Sequence, residues 1–374
     1  MLKGKARKVF PGNNTSKGFF SFYENIIKPD ATRIFVIKGG PGVGKSTFMT
    51  NIGNTMLEKG FDVELHYCSS DNDSLDAVVV PALQVALLDG TAPHIVDPKN
   101  PGAVDEIINL GDYWDEAALV SNKGKIIACN KRISRFFKTA YSYLKEAKIA
   151  SDELAGYFSE AMNHTKLQKN IHMLCTEIFY NLLPDYKKPA GLRRLFASAN
   201  TPDGLVNYID TILQDTRKLY MIKGEPAAGK DELLQAVLDK GVQLGVAVEA
   251  YHCPFEPEKL ELLYFPELFT GVLYQNDRLD FDPGVLQWLD SLEILDLNQH
   301  LDAAVCGEYS EEIQDAKNRM TGNIKRAYQK LNAAKKMHDE MEMFYVPAMN
   351  FKAVNKKREE VLERILVYSQ ANAG

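Results

Sequence analysis

The amino-acid sequence predicts an α/β protein of two tandem domains, each a parallel sheet covered by helices and extended by a long helical hairpin. Three observations lead to this prediction. An apolar strand, a glycine-rich loop and a helix follow one another twice; other sequence blocks recur at nearly the same offset; and each half ends in a long stretch with helical periodicity. The 374 residues suffice for two domains that each bury a core.

The first glycine-rich loop, residues 39–46, matches G-x-x-x-x-G-K-S/T in full. It follows the apolar run 34–37, which is typical of a buried strand, and precedes a helix predicted over 45–59 and closed by Gly60. In this context the motif predicts a phosphate-binding loop, in which Lys45 reaches the β- and γ-phosphates and the Ser46 hydroxyl ligates Mg²⁺. The predicted nucleotide-binding residues are Gly39, Gly40, Gly42, Val43, Gly44, Lys45, Ser46 and Thr47.

The second glycine-rich loop, residues 224–231, follows the apolar run 219–222 and is a degenerate copy of the first. Lys45 plus 185 gives Lys230, so the lysine is kept. Asp231 stands where the magnesium-binding hydroxyl would be, and Glu225 and Ala227 replace loop glycines.

The similarity between the halves extends beyond the loops. Residues 60–64 match 245–249 at an offset of 185, Asn14 matches Asn200 at 186, and residues 161–163 match 348–350 at 187. The sequence therefore predicts a tandem duplication, with domains at 1–186 and 187–374 and a junction in the proline-containing stretch 182–192.

The elements of the first half follow in a regular order. A strand (34–39), a helix (45–59), a strand (61–67) and an acidic loop (69–76) precede apolar segments near 78–80 and 85–88. This alternation predicts a parallel sheet. From about 116 to 180 the apolar residues recur at helical spacing among lysines and arginines, which predicts a long helical hairpin, repeated around 310–370.

Asp89 is the predicted Walker B carboxylate, because it ends the apolar segment 85–88 and could hold Mg²⁺ together with Ser46. The alternative is an ordinary turn aspartate before Gly90. Asp89 aligns with Tyr274, so both magnesium positions are lost together in the second half. A turn residue would have no reason to change in step with Ser46.

Two further residues are candidates for catalysis. Asp71, at the end of a predicted strand, could act as a base or orient a water or an acceptor hydroxyl. Asp71, Asp73 and Asp76 align with acidic residues of the second half, so they could instead complement a helix dipole. His94 follows Asp89 closely and could sense the γ-phosphate, or be an ordinary polar residue.

Other polar residues leave two interpretations open. Asn14 and Thr15, like Asn200 and Thr201, could cap helices beginning near Phe19 and Leu205 or contact the nucleotide base. Four cations on the predicted hairpin could close over phosphates as a lid or form a solvated face: Lys131, Arg132, Arg135 and Lys138. The run 122–125 lacks the aspartate of a guanine-reading N-K-x-D motif, so ATP is the expected nucleotide.

Composition excludes several classes of protein. The net charge of −6 argues against general nucleic-acid binding. Five scattered cysteines without C-x-x-C spacing favour a reducing compartment over a disulfide framework or a zinc site. No apolar run is long enough for a membrane span, and the basic first eight residues lack the apolar segment of a signal peptide, so we expect a cytoplasmic protein.

These motifs resemble those of the P-loop NTPase superfamily. More narrowly, the chain is similar over its whole length to a bacterial family of tandemly duplicated P-loop proteins known only as ATPases or nucleotide-kinase-like proteins. The segments that carry this resemblance are 10–15, 39–47, 67–71 and 89–94. It implies two P-loop NTPase-like domains, and both halves of that family can carry a good P-loop. The second loop departs from that pattern at Glu225, Ala227 and Asp231.

Three functions are compatible with these observations. The first is an ATPase with one Mg-ATP site in the first half and a pseudo-site in the second, the halves pairing and Lys230 serving as a possible supporting cation. The second is a nucleotide or small-molecule kinase with Asp71 as its base. The third is a nucleotide-dependent scaffold whose helical hairpins bind a protein partner. The first two need the same P-loop and Mg²⁺, so motifs alone do not separate them.

Overall fold

The structure, a computed structural model, describes residues 3–91, 95–184, 191–226, 228–276, 278–279 and 281–371. In the first half the strands are β1 (Ala6–Val9), β2 (Gly12–Thr15), β3 (Gly18–Ser21), β4 (Arg33–Lys38), β5 (Val63–Tyr67), β6 (Leu75–Val80), β7 (Val85–Asp89) and β8 (Asp105–Asn109). The helices are α1 (Lys45–Glu58), α2 (Glu116–Ser121), α3 (Lys123–Ala161) and α4 (His164–Ile178).

The second half contains a corresponding series of elements. Its strands are β9 (Leu192–Leu195), β10 (Ser198–Thr201), β11 (Gly204–Asn207), β12 (Lys218–Lys223), β13 (Val248–His252), β14 (Leu260–Phe265), β15 (Thr270–Gln275) and β16 (Ser291–Asp296). Its helices are α5 (Ile209–Ile212), α6 (Lys230–Gln243), α7 (Ala303–Glu308), α8 (Ser310–Tyr345) and α9 (Phe351–Ala371). The α/β class is therefore confirmed.

Two six-stranded sheets have the same order of strands. The first runs β1-β5-β6-β7-β4-β8, and the second, from its other edge, runs β9-β13-β14-β15-β12-β16. In the first sheet β4 lies parallel to both β7 and β8. The strand that leads into each glycine-rich loop therefore lies between two parallel neighbours, as β12 does between β15 and β16.

The sheets are mixed, so the prediction of parallel sheets is wrong for one strand in each. β6 is antiparallel to β5 and β7, and β14 is antiparallel to β13 and β15. The physical reason is the length of the connections. Residues 68–74 and 81–84 are too few for a crossover, which needs about a dozen residues or more, whereas an antiparallel neighbour needs only a short turn.

The chain forms two compact units, and neither is continuous in sequence. The first unit comprises Met1–Asn13, Ser21–Thr139 and Gln329–Gly374, and the second comprises Asn14–Phe20 and Ala140–Tyr328. Each of the long helices α3 and α8 contributes residues to both units. The compact units therefore divide the chain differently from the sequence halves 1–186 and 187–374.

The last helix of each half belongs to the unit that holds the other half's glycine-rich loop. In the first unit α9 packs on α1, and in the second unit α4 packs on α6. The helix α1 buries Phe48, Ile52 and Met56, which are spaced by four residues and so share one face. Val361 and Ile365 of α9 lie in the same apolar cluster.

Long helices occur where the periodicity predicted them, at 123–161 and 310–345. Among the described residues, none of these or the other helices is long and apolar enough to cross a bilayer.

Candidate functional site

The first glycine-rich loop joins the end of β4 to the start of α1. Gly42 and Gly44 have φ angles of 66° and 90°, which residues with a Cβ adopt only at a cost. Gly44 is also the N-cap residue of α1. Val43 is fully buried in the core of the unit, and this side chain fixes the loop on the sheet. Backbone N–H groups at a helix N-terminus in such a turn form a site suited to an anion.

Lys45 and Asp89 lie together beneath this loop. Lys45 is the first residue of α1, and its Nζ donates to the carbonyl oxygens of Gly39 and Gly40 at 3.1 and 2.8 Å. The same Nζ lies 3.6 Å from Asp89 Oδ2. Asp89 is brought there because β7 is the parallel neighbour of β4, with Ile37 opposite Asp89 in the register. A cation and a carboxylate thus meet at the carboxyl ends of two adjacent strands.

Ser46 faces the start of β6. Its Oγ accepts a hydrogen bond from the backbone N–H of Leu75 at 3.0 Å. The next residue, Asp76, is buried, and this burial, with the nearby charge of Asp89, raises the pKa of Asp76 to about 7. Hydrogen bonds from Tyr23 and Cys68 and the positive charge of Lys45 favour a lower pKa of Asp76, but they do not outweigh the burial. The sequence grouped Asp76 with Asp71 and Asp73, but only the structure shows that it lies beside Lys45 and Asp89.

Asp71 follows the end of β5 and is held by two side chains. Its Oδ2 accepts from Ser74 Oγ at 2.8 Å, and its Oδ1 lies 3.5 Å from Nζ of Lys335 in α8. Thr47 is exposed at the first turn of α1. His94 lies outside the described residues.

The interpretation of Asn14 and Asn200 as helix caps is wrong. Both lie in strands, β2 and β10, and no described helix begins at Phe19 or Leu205, which lie in β3 and β11. In the second unit each asparagine side chain donates to the other's backbone carbonyl, at 3.0 and 2.8 Å. The order of polar and apolar residues did not indicate this pairing, because it joins positions 186 residues apart.

The four hairpin cations considered as a lid lie exposed on α3. Instead, residues around the end of α8 lie against the glycine-rich loop of the first unit. Glu342 Oε1 accepts a hydrogen bond from the backbone N–H of Gly42 at 3.0 Å. A Cβ placed on Gly40 would lie 2.8 Å from the ring of Tyr345, so the ring fits only because residue 40 is a glycine. No sequence signal pointed to these residues, which are about 300 positions from the loop.

Two groups of side chains could hold a divalent cation. Ser46 and Asp89 offer the hydroxyl and carboxylate oxygens that Mg²⁺ prefers. His338, Asp339 and Glu342 of α8 bring ligand atoms within 4.8 Å of one another. In that second group Asp339 pairs with Lys335 at 2.5 Å and Glu342 accepts from Gly42, so both carboxylates have protein partners.

In the second glycine-rich loop, which lies in the second unit, the lysine and the aspartate beside it are paired with each other. Lys230 Nζ lies 2.6 Å from Asp231 Oδ1 and 4.4 Å from the centre of the Tyr274 ring. Burial would raise the pKa of Asp231, but the charges of Lys230 and Lys259 outweigh it and lower that pKa. Tyr274 donates its hydroxyl to the carbonyl of Gly224 at 2.8 Å.

Leu167 of α4 packs so closely on this loop that a Cβ on Gly229 would lie 2.4 Å from Leu167 Cδ2. The replacement of Ser46 by Asp231 thus gives Lys230 an internal anion.

A scan against protein-family models found no match for the chain, and searches of curated proteins and of solved structures found none either.

Proposed function

We propose that the chain is an ATPase of the P-loop type, which binds Mg-ATP at residues 39–47 and hydrolyses it. The observation that carries this proposal is the position of Lys45 at the head of α1, 3.6 Å from Asp89 at the end of the neighbouring parallel strand. A glycine-rich loop over a lysine and a carboxylate is the arrangement that phosphoryl transfer needs. The proposed residence in the cytoplasm fits the cysteine usage of the sequence.

We further propose that the halves derive from a duplicated P-loop unit. Two observations support a duplication: the blocks that recur at offsets of 185 to 187, and the identical strand order of the two sheets, including an antiparallel strand at the same place. Independent origin would require the same order of six strands to arise twice in one chain.

The first loop and two nearby aspartates have distinct roles in the proposed site. The backbone N–H groups of the loop receive phosphate oxygens, and Lys45 turns from the loop carbonyls to the β- and γ-phosphates. Ser46 and Asp89 would hold Mg²⁺, which neutralises charge on the transferring phosphoryl group. Asp71 lies 3.5 Å from Nζ of Lys335, and it is the candidate for orienting the attacking water.

The second loop is proposed to be a pseudo-site. Asp231 neutralises Lys230 and Lys259, and Tyr274 occupies the position that Asp89 has in the first half. A nucleotide bound at this loop would place its phosphates beside the Asp231 carboxylate, and the two negative charges would repel each other. One nucleotide per chain is therefore the expected stoichiometry.

Calorimetry and turnover assays on two variants test this function. Lys45→Ala should weaken ATP binding about ten- to a hundredfold, the worth of one charge-assisted contact. Asp89→Asn should retain most of the binding and lose Mg-dependent turnover. Lys28→Ala, an exposed lysine outside the loop, is the matched control.

Unchanged ATP affinity in Lys45→Ala would overturn the proposal. Turnover that requires an added acceptor molecule would instead identify a kinase, because an ATPase consumes ATP with water alone. ATP binding without turnover under either condition would leave the nucleotide-dependent scaffold, whose partner would contact the exposed faces of α3 and α8.

A further inference from the structure

One stretch of α8, residues 335–345, lies along the first glycine-rich loop within the first unit. Lys335 and Glu342 are seven residues apart, so they lie two turns apart on one face of the helix. The first reaches Asp71 at the end of β5, and the second reaches Gly42 in the loop. Two separate polar contacts therefore hold this stretch against the site.

The contact at Gly42 places a carboxylate on a phosphate-binding group. Gly42 lies in the nest of N–H groups, and its N–H donates to Glu342 Oε1 at 3.0 Å. A carboxylate oxygen and a phosphate oxygen are both anionic acceptors. They cannot share one N–H without strong repulsion, so a phosphate that uses this donor must displace Glu342.

Lys45 likewise has hydrogen-bond partners within the protein. Its Nζ is bound by the carbonyls of Gly39 and Gly40, which belong to the loop itself. The loop carbonyls thus accept the hydrogen bonds of Lys45, while Glu342 of α8 accepts a hydrogen bond from the loop N–H of Gly42. Both sets of contacts are ones that a triphosphate chain would replace.

We propose that the Glu342 carboxylate acts as a latch, that is, an autoinhibitory contact on the loop. This proposal rests on the proposed nucleotide binding at residues 39–47. The Glu342 carboxylate occupies part of the phosphate site when no nucleotide is bound. Binding of a triphosphate expels this carboxylate and releases the 335–345 stretch of α8 from the loop. The latch lowers nucleotide affinity and makes the position of α8 depend on occupancy of the site.

Titration calorimetry with Mg-ATP and with inorganic tripolyphosphate tests the latch. Glu342→Ala should bind both probes about tenfold more tightly, the size of one competing charge-assisted hydrogen bond. Glu342→Gln keeps an acceptor without its charge, so its affinity should lie between those of Glu342→Ala and wild type. The matched control is Glu340→Gln, an exposed glutamate on the same helix, which should bind as wild type does.

Tripolyphosphate separates the latch from any effect on the base, because it carries the phosphates alone. A gain for both probes supports the latch. Unchanged or weaker binding by Glu342→Ala, when wild type binds ATP, overturns the latch and leaves the proposed function standing. Failure of wild type and both Glu342 variants to bind either probe overturns the two together. Thermal unfolding of each variant verifies that it is folded.

Discussion

At the scale of single residues, Lys45 and Lys230 begin equivalent helices but have different neighbours. Lys45 contacts loop carbonyls and lies near Asp89, whereas Lys230 is paired with Asp231 in the adjacent position. Where the first loop has Ser46, the second has Asp231, which contacts Lys230 directly at 2.6 Å. The proposal that the first loop is active and the second a pseudo-site depends on this difference.

A buried carboxyl in the second unit makes stability depend on pH. Burial raises the pKa of Glu261 to about 7, although the Ser198 hydroxyl and the charges of Arg278 and Lys230 oppose the rise. Because the folded state holds this proton more tightly than the unfolded state, the contribution of Glu261 is present at low pH and is lost as pH rises through about 7.

Glu261→Gln, which stays neutral, should therefore reduce the loss of unfolding free energy between about pH 5 and pH 8. Urea unfolding at the two pH values measures this loss, with the exposed Glu267→Gln as control. An equal loss in wild type and Glu261→Gln would show that the buried carboxyl does not set the pH dependence.

At the scale of elements, the helix after each glycine-rich loop is covered by the last helix of the other sequence half. The apolar face of α1 packs against β6 and α9, and that of α6 packs against β14 and α4. An uncovered helix face of this kind would expose several large side chains to water. The covering helix is therefore a structural requirement of the helix that follows each glycine-rich loop.

Ile365→Ala tests how much α9 contributes to the first unit. Ile365 is fully buried in the cluster that contains Phe48 and Ile52. Its truncation should cost about 2–5 kcal/mol of unfolding free energy, because it removes apolar contact and leaves a cavity. Val367→Ala, on the same helix with a side chain 61% exposed, should cost about 0.5 kcal/mol or less.

The two tryptophans allow the measurement to be made on one unit. Trp114 lies in the first unit and Trp288 in the second. Urea unfolding followed by Trp114 fluorescence in a Trp288→Phe background reports the first unit. Equal stability of Ile365→Ala and Val367→Ala would contradict the packing of α9 described above.

At the scale of the whole molecule, each compact unit is assembled from separate segments of the chain. Residues 329–374 complete the unit built on the first loop, and residues 140–186 belong with the second loop. The glycine-rich loop at 39–46 therefore belongs to a unit that also needs residues from the end of the chain.

Removal of α9, by ending the chain after Asn350, should destabilise α1 and spare α6. Hydrogen exchange followed by mass spectrometry reads both helices in one experiment, since amides that open locally lose their protection. We expect faster exchange at 45–58 and unchanged exchange at 230–243. Loss of protection at 230–243 instead would mean that the helices follow the sequence halves.

Local sequence was sufficient for much of the fold. The alternation of apolar and polar residues predicted the α/β class, the position of α1 and the long helices, because these depend on periodicity within one segment. The direction of β6 was missed because the pattern of a buried strand is the same whether its neighbour is parallel or antiparallel. Only the shortness of the connections on either side carried that information.

The candidate site also contains residues that the sequence predicted and contacts that it did not. The motif predicted Lys45, Ser46 and the glycines as site residues, because phosphate binding demands those residues at fixed spacing on one loop, and the end of an apolar strand predicted Asp89. The structure places Lys45 and Asp89 3.6 Å apart, while phosphate binding there stays a prediction. The contact of Glu342 with Gly42, and the burial of Asp76 beside Asp89, were decided by tertiary structure alone. They join residues from distant segments, and no local pattern in the chain records which helix will cover a loop 300 residues away.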